Sequence, residues 1–324
     1  MKGAHRIIVE SRKIKYDFII KRNITILTGD SGTGKTVLID LIRDYRRYGA
    51  DSGVFLSCDC ACRTIDNEDW ERQLEETSNS IIFMDEGNRF LTSKRFAELV
   101  QQSDNYFVLA TREKLPMLPY SVNEIYGFRQ SGKYHQARQK YNEIYHLYGE
   151  ISEEDVIDPH FIITEDSNSG HEFFCELSRQ KKIKCISSNG KSNIIKSLQE
   201  SENIEGTRLV IVDGAAFGSE MRDVSEYLYT VGDVVLYAPE SFEWILLLSN
   251  SIPNPNIAAI LQQPENYIDS KEYVSWERFF TTLLIDQTRN DPVWAYSKSK
   301  LSKVYLSSKV TSAVKKIMKL ILWN

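Results

Sequence analysis

The amino-acid sequence predicts an α/β protein made of two modules and a helical C-terminal region. Short runs of β-branched and aromatic residues alternate with amphipathic stretches, first over residues 24–110 and again over residues 161–240. This alternation is typical of parallel strands connected by helices. The chain has 324 residues, of which 42% are hydrophobic, so its length suits roughly two domains with separate cores.

Composition argues against several other classes of protein. A charged fraction of 26% and a net charge of −5 are typical of an ordinary globular chain and not of a disordered protein or a general polyanion binder. No apolar run approaches the roughly 20 residues of a membrane span. Residues 1–6 lack the apolar core of a secretory signal. The five cysteines form no even disulfide framework, so we expect a cytoplasmic, reducing setting.

A glycine-rich segment follows the strand predicted over residues 24–28. It reads Gly-Asp-Ser-Gly-Thr-Gly-Lys-Thr over residues 29–36, and an amphipathic helix is predicted directly after it. A strand, a G-x-x-x-x-G-K-[ST] loop and a helix together are the setting of a phosphate site. Backbone N–H groups of the loop and the helix N-terminus would bind anionic oxygens. The predicted nucleotide-binding residues are Gly29, Asp30, Ser31, Gly32, Thr33, Gly34, Lys35 and Thr36.

Two further predicted strands end in groups suited to act on a bound nucleotide. The apolar run 80–84 is followed by Asp85, a candidate Mg²⁺ ligand, and Glu86, a candidate base that activates water. The run 105–110 is followed by Thr111 and Arg112, which are placed to sense and neutralise phosphate charge. The alternative is that both strands simply end in polar loops and that Arg112 is a surface residue.

The order of these segments resembles the P-loop ATPases that carry an extra strand and a catalytic glutamate, the broad group of AAA and ABC-type ATPases. The resemblance covers residues 5–128 and includes two opening strands, 7–9 and 16–20, similar to the antiparallel subdomain of ABC-like members. No Leu-Ser-Gly-Gly-Gln signature is present, so an ABC-style dimer is not expected. The resemblance implies an ATPase that uses ATP and Mg²⁺. The residues it implies are Lys35, Glu86, Thr111 and Arg112 for catalysis and Thr36 and Asp85 for the metal.

Three cysteines at alternate positions, Cys58, Cys60 and Cys62, raise the hypothesis of a metal site. Alternate residues of an extended segment point to the same side. Tetrahedral zinc, however, needs four ligands with C-x₂₋₄-C spacing, and no such partner pair is evident in the sequence. We therefore interpret these residues as half-buried strand cysteines.

The second α/β pattern contains three predicted strands that are followed by acidic residues. These residues are Glu165, Asp213 and Glu240. The segment 158–245 resembles the TOPRIM domains of topoisomerases, primases and related nucleases, in which a glutamate and an Asp-x-Asp pair bind Mg²⁺. Glu165 and Asp213 match that pattern, but Ala215 stands at the position of the second aspartate. The resemblance is therefore to a degenerate TOPRIM domain, with Glu220 or Glu240 as the candidate replacement ligand.

We predict four parts along the chain: an ATPase domain over 1–128, a hairpin and linker over 129–157, a TOPRIM-like domain over 158–250, and a helical region over 251–324. In the hairpin, basic residues alternate with aromatic ones around Ser131 and Gly132. That pattern fits either nucleic acid or, as we favour, a solvated surface. The basic amphipathic stretch 302–323 is expected to dock on its own protein and not on a membrane.

Two functions follow from these resemblances. One is a Mg²⁺-dependent ATPase that couples turnover to a nucleic-acid-related, defence or mobile-element activity through the TOPRIM-like module. The other is a nucleotide-gated switch whose second half binds a protein partner without cutting nucleic acid. The candidate partners are accordingly ATP, DNA or RNA, a partner protein and a second copy of the chain.

Overall fold

The computed structural model describes residues 1–30, 32–66, 69–131, 140–148, 156–253 and 257–323, with the backbone alone at residues 130 and 131. These residues form two compact units, one made of residues 1–149 and 263–275 and the other of residues 150–262 and 276–324. Each unit combines a sheet with helices, which confirms the α/β class. Among the described helices, none has both the length and the apolar character that a membrane crossing requires.

The described part of the first unit contains a nine-stranded mixed sheet. Its strands are β1 (His5–Glu10), β2 (Ile14–Ile20), β3 (Ile24–Leu27), β4 (Phe55–Ser57), β5 (Ala61–Thr64), β6 (Ser80–Met84), β7 (Tyr106–Ala110), β8 (Ile125–Ser131) and β9 (Lys140–His146). They lie in the order β4-β1-β2-β9-β8-β3-β7-β6-β5. The strands β8, β3, β7, β6 and β5 are parallel, whereas β4, β1 and β2 pair antiparallel. The strand β7 therefore separates β3 from β6.

The two ends of this sheet are joined by a short piece of chain. The strands β4 and β5 are outermost in the sheet order, yet only residues 58–60 connect them. Four peptide steps span at most roughly 14 Å. The sheet must therefore curl until its two edges come close together at this connection.

The helix α1 (Lys35–Tyr48) packs inside the curled sheet. Its buried side chains Leu38, Ile39 and Ile42 follow helical spacing and belong to the same core as Ile7 of β1 and Phe83 of β6. The other helices of this unit are α2 (Trp70–Glu75) and α3 (Lys94–Gln102). The core thus ties the antiparallel strands and the parallel strands to one helix, the helix that begins at the glycine-rich loop.

No bounds were predicted from the sequence for two strands of the first unit. The segment 61–64 is short and contains two polar residues, so it gives a weak strand signal. The strand β9 lies within the segment 129–157, predicted as hairpin and linker, and it pairs with both β8 and β2. Gly132 of the predicted turn lies outside the described residues, as do Lys133, Tyr134 and Arg138 of the basic and aromatic pattern.

The second unit is built on a four-stranded parallel sheet. Its strands are β10 (Pro159–Thr164), β11 (Lys184–Ser187), β12 (Thr207–Ile211) and β13 (Val234–Tyr237), in the order β11-β10-β12-β13. The helices are α4 (Ser169–Lys181), α5 (Ile194–Glu200), α6 (Met221–Thr230), α7 (Phe242–Leu248), α8 (Ala258–Gln262), α9 (Trp276–Thr288) and α10 (Ser308–Ile317). All strand pairs in this sheet are parallel, so the carboxyl ends of the strands meet at one edge.

The basic amphipathic stretch at the end of the chain is docked on the second unit. Its helical part is α10, shorter than the predicted 302–323, and it packs against α7. The apolar residues Val310, Val314, Met318 and Ile321 are all buried. The structure therefore confirms that the apolar face of this helix packs on its own protein.

Gly214 supplies a test of the tight packing at the carboxyl edge of the second sheet. A Cβ atom at this position would lie 2.4 Å from the carbonyl oxygen of Ala238 and 2.7 Å from that of Pro239. Because both atoms belong to the backbone after β13, they cannot yield by a side-chain rotation. We expect Gly214→Ala to lower the free energy of unfolding by about 1–3 kcal/mol in urea denaturation. The matched control is Gly232→Ala, since a Cβ there meets nothing within 4 Å; equal midpoints for the two variants would contradict this account.

Candidate functional site

The glycine-rich loop of the first unit emerges from the fully buried strand β3 and ends at α1. Two side chains from distant strands support the end of this loop. The hydroxyl of Tyr16 in β2 donates to the Gly34 carbonyl at 2.8 Å, and the Asn142 amide in β9 donates to the Thr33 carbonyl at 3.4 Å. Gly34 has a φ of 107°, and a Cβ there would lie 2.5 Å from Asn142 Nδ2. A glycine is therefore required by both conformation and space.

Lys35 is the first residue of α1, and its almost fully buried side chain contacts the loop. Its Nζ donates to the carbonyls of Gly29 at 2.8 Å and Asp30 at 3.0 Å, and to the hydroxyl of Thr33 at 3.2 Å. Burial lowers the pKa of Lys35, while the nearby charge of Glu86 acts in the opposite direction. Three oxygen atoms of the loop thus bind the Lys35 ammonium group. Ser31, also predicted in this set, lies outside the described residues.

The two carboxylates predicted after β6 lie opposite the start of α1. Thr36 Oγ1 is 3.5 Å from Asp85 Oδ1, and the backbone N–H of Glu86 donates to the same carboxylate oxygen at 2.8 Å. Asp85 is thereby oriented toward the helix N-terminus, where the helix dipole favours negative charge. The segments 29–36 and 85–86, remote in sequence, form one site.

Thr111 and Arg112 follow β7, the strand between β3 and β6. The N–H of Thr111 donates to the Leu27 carbonyl at 3.0 Å, so Thr111 lies directly beside the end of β3. Its buried hydroxyl accepts the N–H of Glu113 at 2.9 Å. Arg112 forms an exposed ion pair with Glu86 at 3.4 Å. The structure therefore brings the described predicted residues of the first unit to a single sheet edge.

Sequence reasoning missed Tyr16 and Asn142. Tyr16 lies in a strand predicted only as part of the sheet, Asn142 lies in the segment predicted as hairpin and linker, and neither is part of a motif. Their role depends on the curling of the sheet, which brings β2 and β9 beside the loop. Local spacing contains no signal for such a contact.

In the second unit, Glu165 and Asp213 follow the adjacent strands β10 and β12. Glu165 Oε2 accepts the backbone N–H of Asp213 at 3.0 Å, and Asp213 Oδ1 accepts the N–H of Phe242 at 3.1 Å. Glu240 is connected to this edge through its backbone, because its carbonyl accepts the N–H of Ala215 at 3.2 Å. The structure thus joins Glu165 directly to Asp213, through the backbone N–H of Asp213.

Four polar residues of later elements complete this edge, and none was predicted as a site residue. The Lys298 ammonium donates to Glu277 at 2.6 Å, and the Tyr296 hydroxyl donates to Glu243 at 2.8 Å. Glu243 is fully buried, and its Oε2 has no hydrogen-bond partner among the described residues. Glu277 lies in the first turn of α9, a helix whose sequence pattern indicates only an apolar packing face. Its position at the sheet edge is a purely tertiary feature.

Burial raises the pKa values of the two central carboxyl groups. The pKa of Glu165 rises to about 7 because of burial, although the N–H of Asp213 favours the charged form. The pKa of Asp213 is raised well above its usual range by burial and by the charges of Glu277 and Glu243. A cavity of about 20 Å³ lies against both side chains, which is room for roughly one water molecule. Several carboxyl groups thus lie together at this edge, with Lys191 and Lys298 as nearby cations.

Comparison of the chain with known protein families and with curated proteins finds no match. The function is therefore argued from the geometry of these two sites.

The raised pKa of Glu165 predicts a pH-dependent stability of the second unit. A folded carboxyl group with a pKa of about 7, against 4.5 in its ordinary state, binds its proton more tightly than the unfolded chain does. The stability that this proton supplies is complete below pH 4.5 and is lost as the pH rises through 7. We expect Glu165→Gln to be more stable than the native protein at pH 8, by up to about 3 kcal/mol, and equally stable near pH 4.

Urea denaturation at a series of pH values measures this difference. The control is Glu205→Gln, which alters an exposed glutamate of the same unit and should leave the pH profile unchanged. A constant difference between Glu165→Gln and the native protein from pH 4 to pH 8 would contradict the assignment.

Proposed function

We propose that the first unit binds and hydrolyses ATP with the help of Mg²⁺. The observation that carries this proposal is the approach of Thr36 and Asp85 to 3.5 Å beside the buried ammonium group of Lys35. A hydroxyl and a carboxylate are hard oxygen donors of the kind that Mg²⁺ prefers, so the donor set fits this cation. Bound there, Mg²⁺ would neutralise phosphate charge.

Each residue of the site has a role that follows from its position. Lys35, whose three N–H bonds now go to the loop, would exchange them for oxygens of the β- and γ-phosphates. Glu86 stands next to the proposed metal ligand Asp85 and would accept a proton from the attacking water. Arg112, paired with Glu86 in the structure, would turn toward the developing phosphate charge. Tyr16 and Asn142 would act as positioning residues that hold the loop.

The strand order supports the resemblance to the extra-strand ATPases. The strand β7 lies between the strand of the glycine-rich loop and the strand of the acid pair, as the name of that group implies. The antiparallel strands β4, β1 and β2 at the other side of the sheet are similar to the subdomain of ABC-like members. ATP is preferred to GTP in this proposal because the sequence has no Asn-Lys-x-Asp motif.

Two substitutions test the proposal by separating binding from hydrolysis. Lys35→Ala removes charge-assisted bonds to phosphate and is expected to weaken ATP binding by roughly 10- to 100-fold. Glu86→Gln keeps the phosphate contacts but removes the base, so we expect bound ATP with turnover reduced by roughly 10²- to 10⁴-fold. Calorimetric titration with ATP and Mg²⁺ and a phosphate-release assay measure the two effects. The control for the lysine is Lys94→Ala, at an exposed position of α3; native-like ATP binding by Lys35→Ala would overturn the proposal.

For the second unit, we propose a divalent-cation site that acts on nucleic acid under the control of the ATPase. Glu165 and Asp213 lie on neighbouring strands, as the TOPRIM resemblance implies. The observation that favours this function over a pure switch is Glu277, whose carboxylate accepts from Lys298 at 2.6 Å and whose charge raises the pKa values of both Glu165 and Asp213. Glu277 would supply a third carboxylate in place of the aspartate that is missing at Ala215.

Incubation of the full chain with plasmid DNA, ATP and either Mg²⁺ or Mn²⁺ tests this second function. We expect nicking or cutting that is lost in Glu165→Ala and in Asp213→Ala, while phosphate release from ATP is retained in both. Absence of cutting by a native protein with intact ATPase activity would overturn the nuclease and favour the nucleotide-gated switch. Cutting that survives both substitutions would place the activity elsewhere.

A further inference from the structure

Three cysteines and one histidine of the first unit meet where the two edges of the nine-stranded sheet are connected. Cys58 and Cys60 lie in the three-residue connection between β4 and β5, and Cys62 lies in β5. His5 begins β1, the strand that pairs with β4. His5 and Cys62 are buried, and the other two cysteines are half-buried.

The donor atoms of these residues are close together. Cys58 Sγ lies 3.6 Å from Cys60 Sγ, and Cys60 Sγ lies 3.8 Å from His5 Nδ1. Cys62 completes the group through a side-chain hydrogen bond with Cys58. Ligand atoms around tetrahedral zinc, at roughly 2.3 Å for sulfur and 2.0 Å for nitrogen, lie about 3.5–3.8 Å from one another. The Cys58–Cys60 and Cys60–His5 spacings are of this size, and the ligand atoms of His5, Asp59 and Cys60 all lie within 4.8 Å of one another.

The hydrogen bonds of His5 show which ring nitrogen faces the cysteines. Its Nε2 lies 3.1 Å from the carbonyl oxygen of Lys2, which can only accept, so the ring proton of the neutral form is on Nε2. The lone pair of Nδ1 then faces Cys60 and, at 2.8 Å, a carboxylate oxygen of Asp59. Nδ1 is therefore the ring atom that would bind a metal beside Cys60.

We propose that His5, Cys58, Cys60 and Cys62 bind a zinc ion, or another divalent cation of similar softness, in a closed structural site. The sequence supplies three ligands, and the pairing of β1 with β4 supplies the fourth from 53 residues earlier in the chain. Four protein ligands leave no open position, which is typical of structural and not of catalytic zinc. The ion would fasten the start of β1 to the connection that joins the two edges of the sheet.

The chain offers a clean background for the test. It has five cysteines, and the remaining two, Cys175 and Cys185, lie beside His171 in the second unit as another group with metal-ligand chemistry. The variant Cys175→Ser/Cys185→Ser therefore leaves only the three cysteines of the proposed site. Under reducing conditions, this full-length background protein is loaded with Zn²⁺ or Co²⁺, freed of excess metal and analysed by elemental mass spectrometry.

We expect one equivalent of Zn²⁺ per chain, and with Co²⁺ a charge-transfer band whose intensity corresponds to three thiolates. Adding Cys60→Ser is expected to remove the bound equivalent, and adding His5→Ala is expected to weaken binding and shift the cobalt spectrum. Far-ultraviolet circular dichroism checks that the variants are folded, and a chelator added to the background protein should lower its melting temperature.

No metal in the folded background protein, or metal fully retained after Cys60→Ser, would overturn the proposal. Unchanged ATP binding in the presence of Mg²⁺ by a zinc-free protein would leave the proposed ATPase function intact, so either proposal can fail without the other.

Discussion

The parallel register of β3, β7 and β6 is the constraint on which the first site depends. Leu27 pairs with Ala110, and Met84 pairs with Leu109, so the three strands end at nearly the same level. The residues that directly follow these strands therefore lie at one edge of the sheet. The helix α1 also starts at this edge. This shared end point brings Asp85 to the hydroxyl of Thr36 and Thr111 to the end of β3. A shift of one residue in either pairing would reverse the side-chain faces and dissolve the site.

The curled sheet extends this constraint to residues that are remote in sequence. Because β4 and β5 are joined by three residues, the antiparallel and parallel parts of the sheet both pack on α1. The same curl places Tyr16 and Asn142 against the glycine-rich loop, where their hydrogen bonds hold the backbone carbonyls of Gly34 and Thr33. The proposed zinc site lies at residues 58–60, the short connection that requires the sheet to curl. The geometry of the loop thus depends on the closure of the sheet.

The candidate site of the second unit also lies at the carboxyl edge of parallel strands, but its charged groups are mainly carboxyl groups. In the first unit, one buried ammonium group lies among backbone carbonyls, whereas in the second unit several carboxyl groups lie around Lys298. Carboxyl groups removed from water keep their protons to a higher pH, and each further charge in the group adds to the effect. A divalent cation would relieve this repulsion. The stability of the second unit and any cation binding are therefore linked through the protonation of Glu165 and Asp213.

The sequence by itself determined the α/β class, most of the strands, and the residues that follow them, because apolar period, glycine spacing and strand-end acids are local signals. It predicted the loop 29–36 and the pair at 85–86 as parts of one site, and it predicted Glu165 and Asp213 as neighbours. Only the tertiary structure decided which distant side chains join them: Tyr16, Asn142, Glu277, Lys298 and His5. These residues belong to ordinary strands, helices or loops, and their contacts depend on strand order, sheet curl and helix docking. Such contacts join positions tens of residues apart, and no periodicity or motif in a single sequence records them.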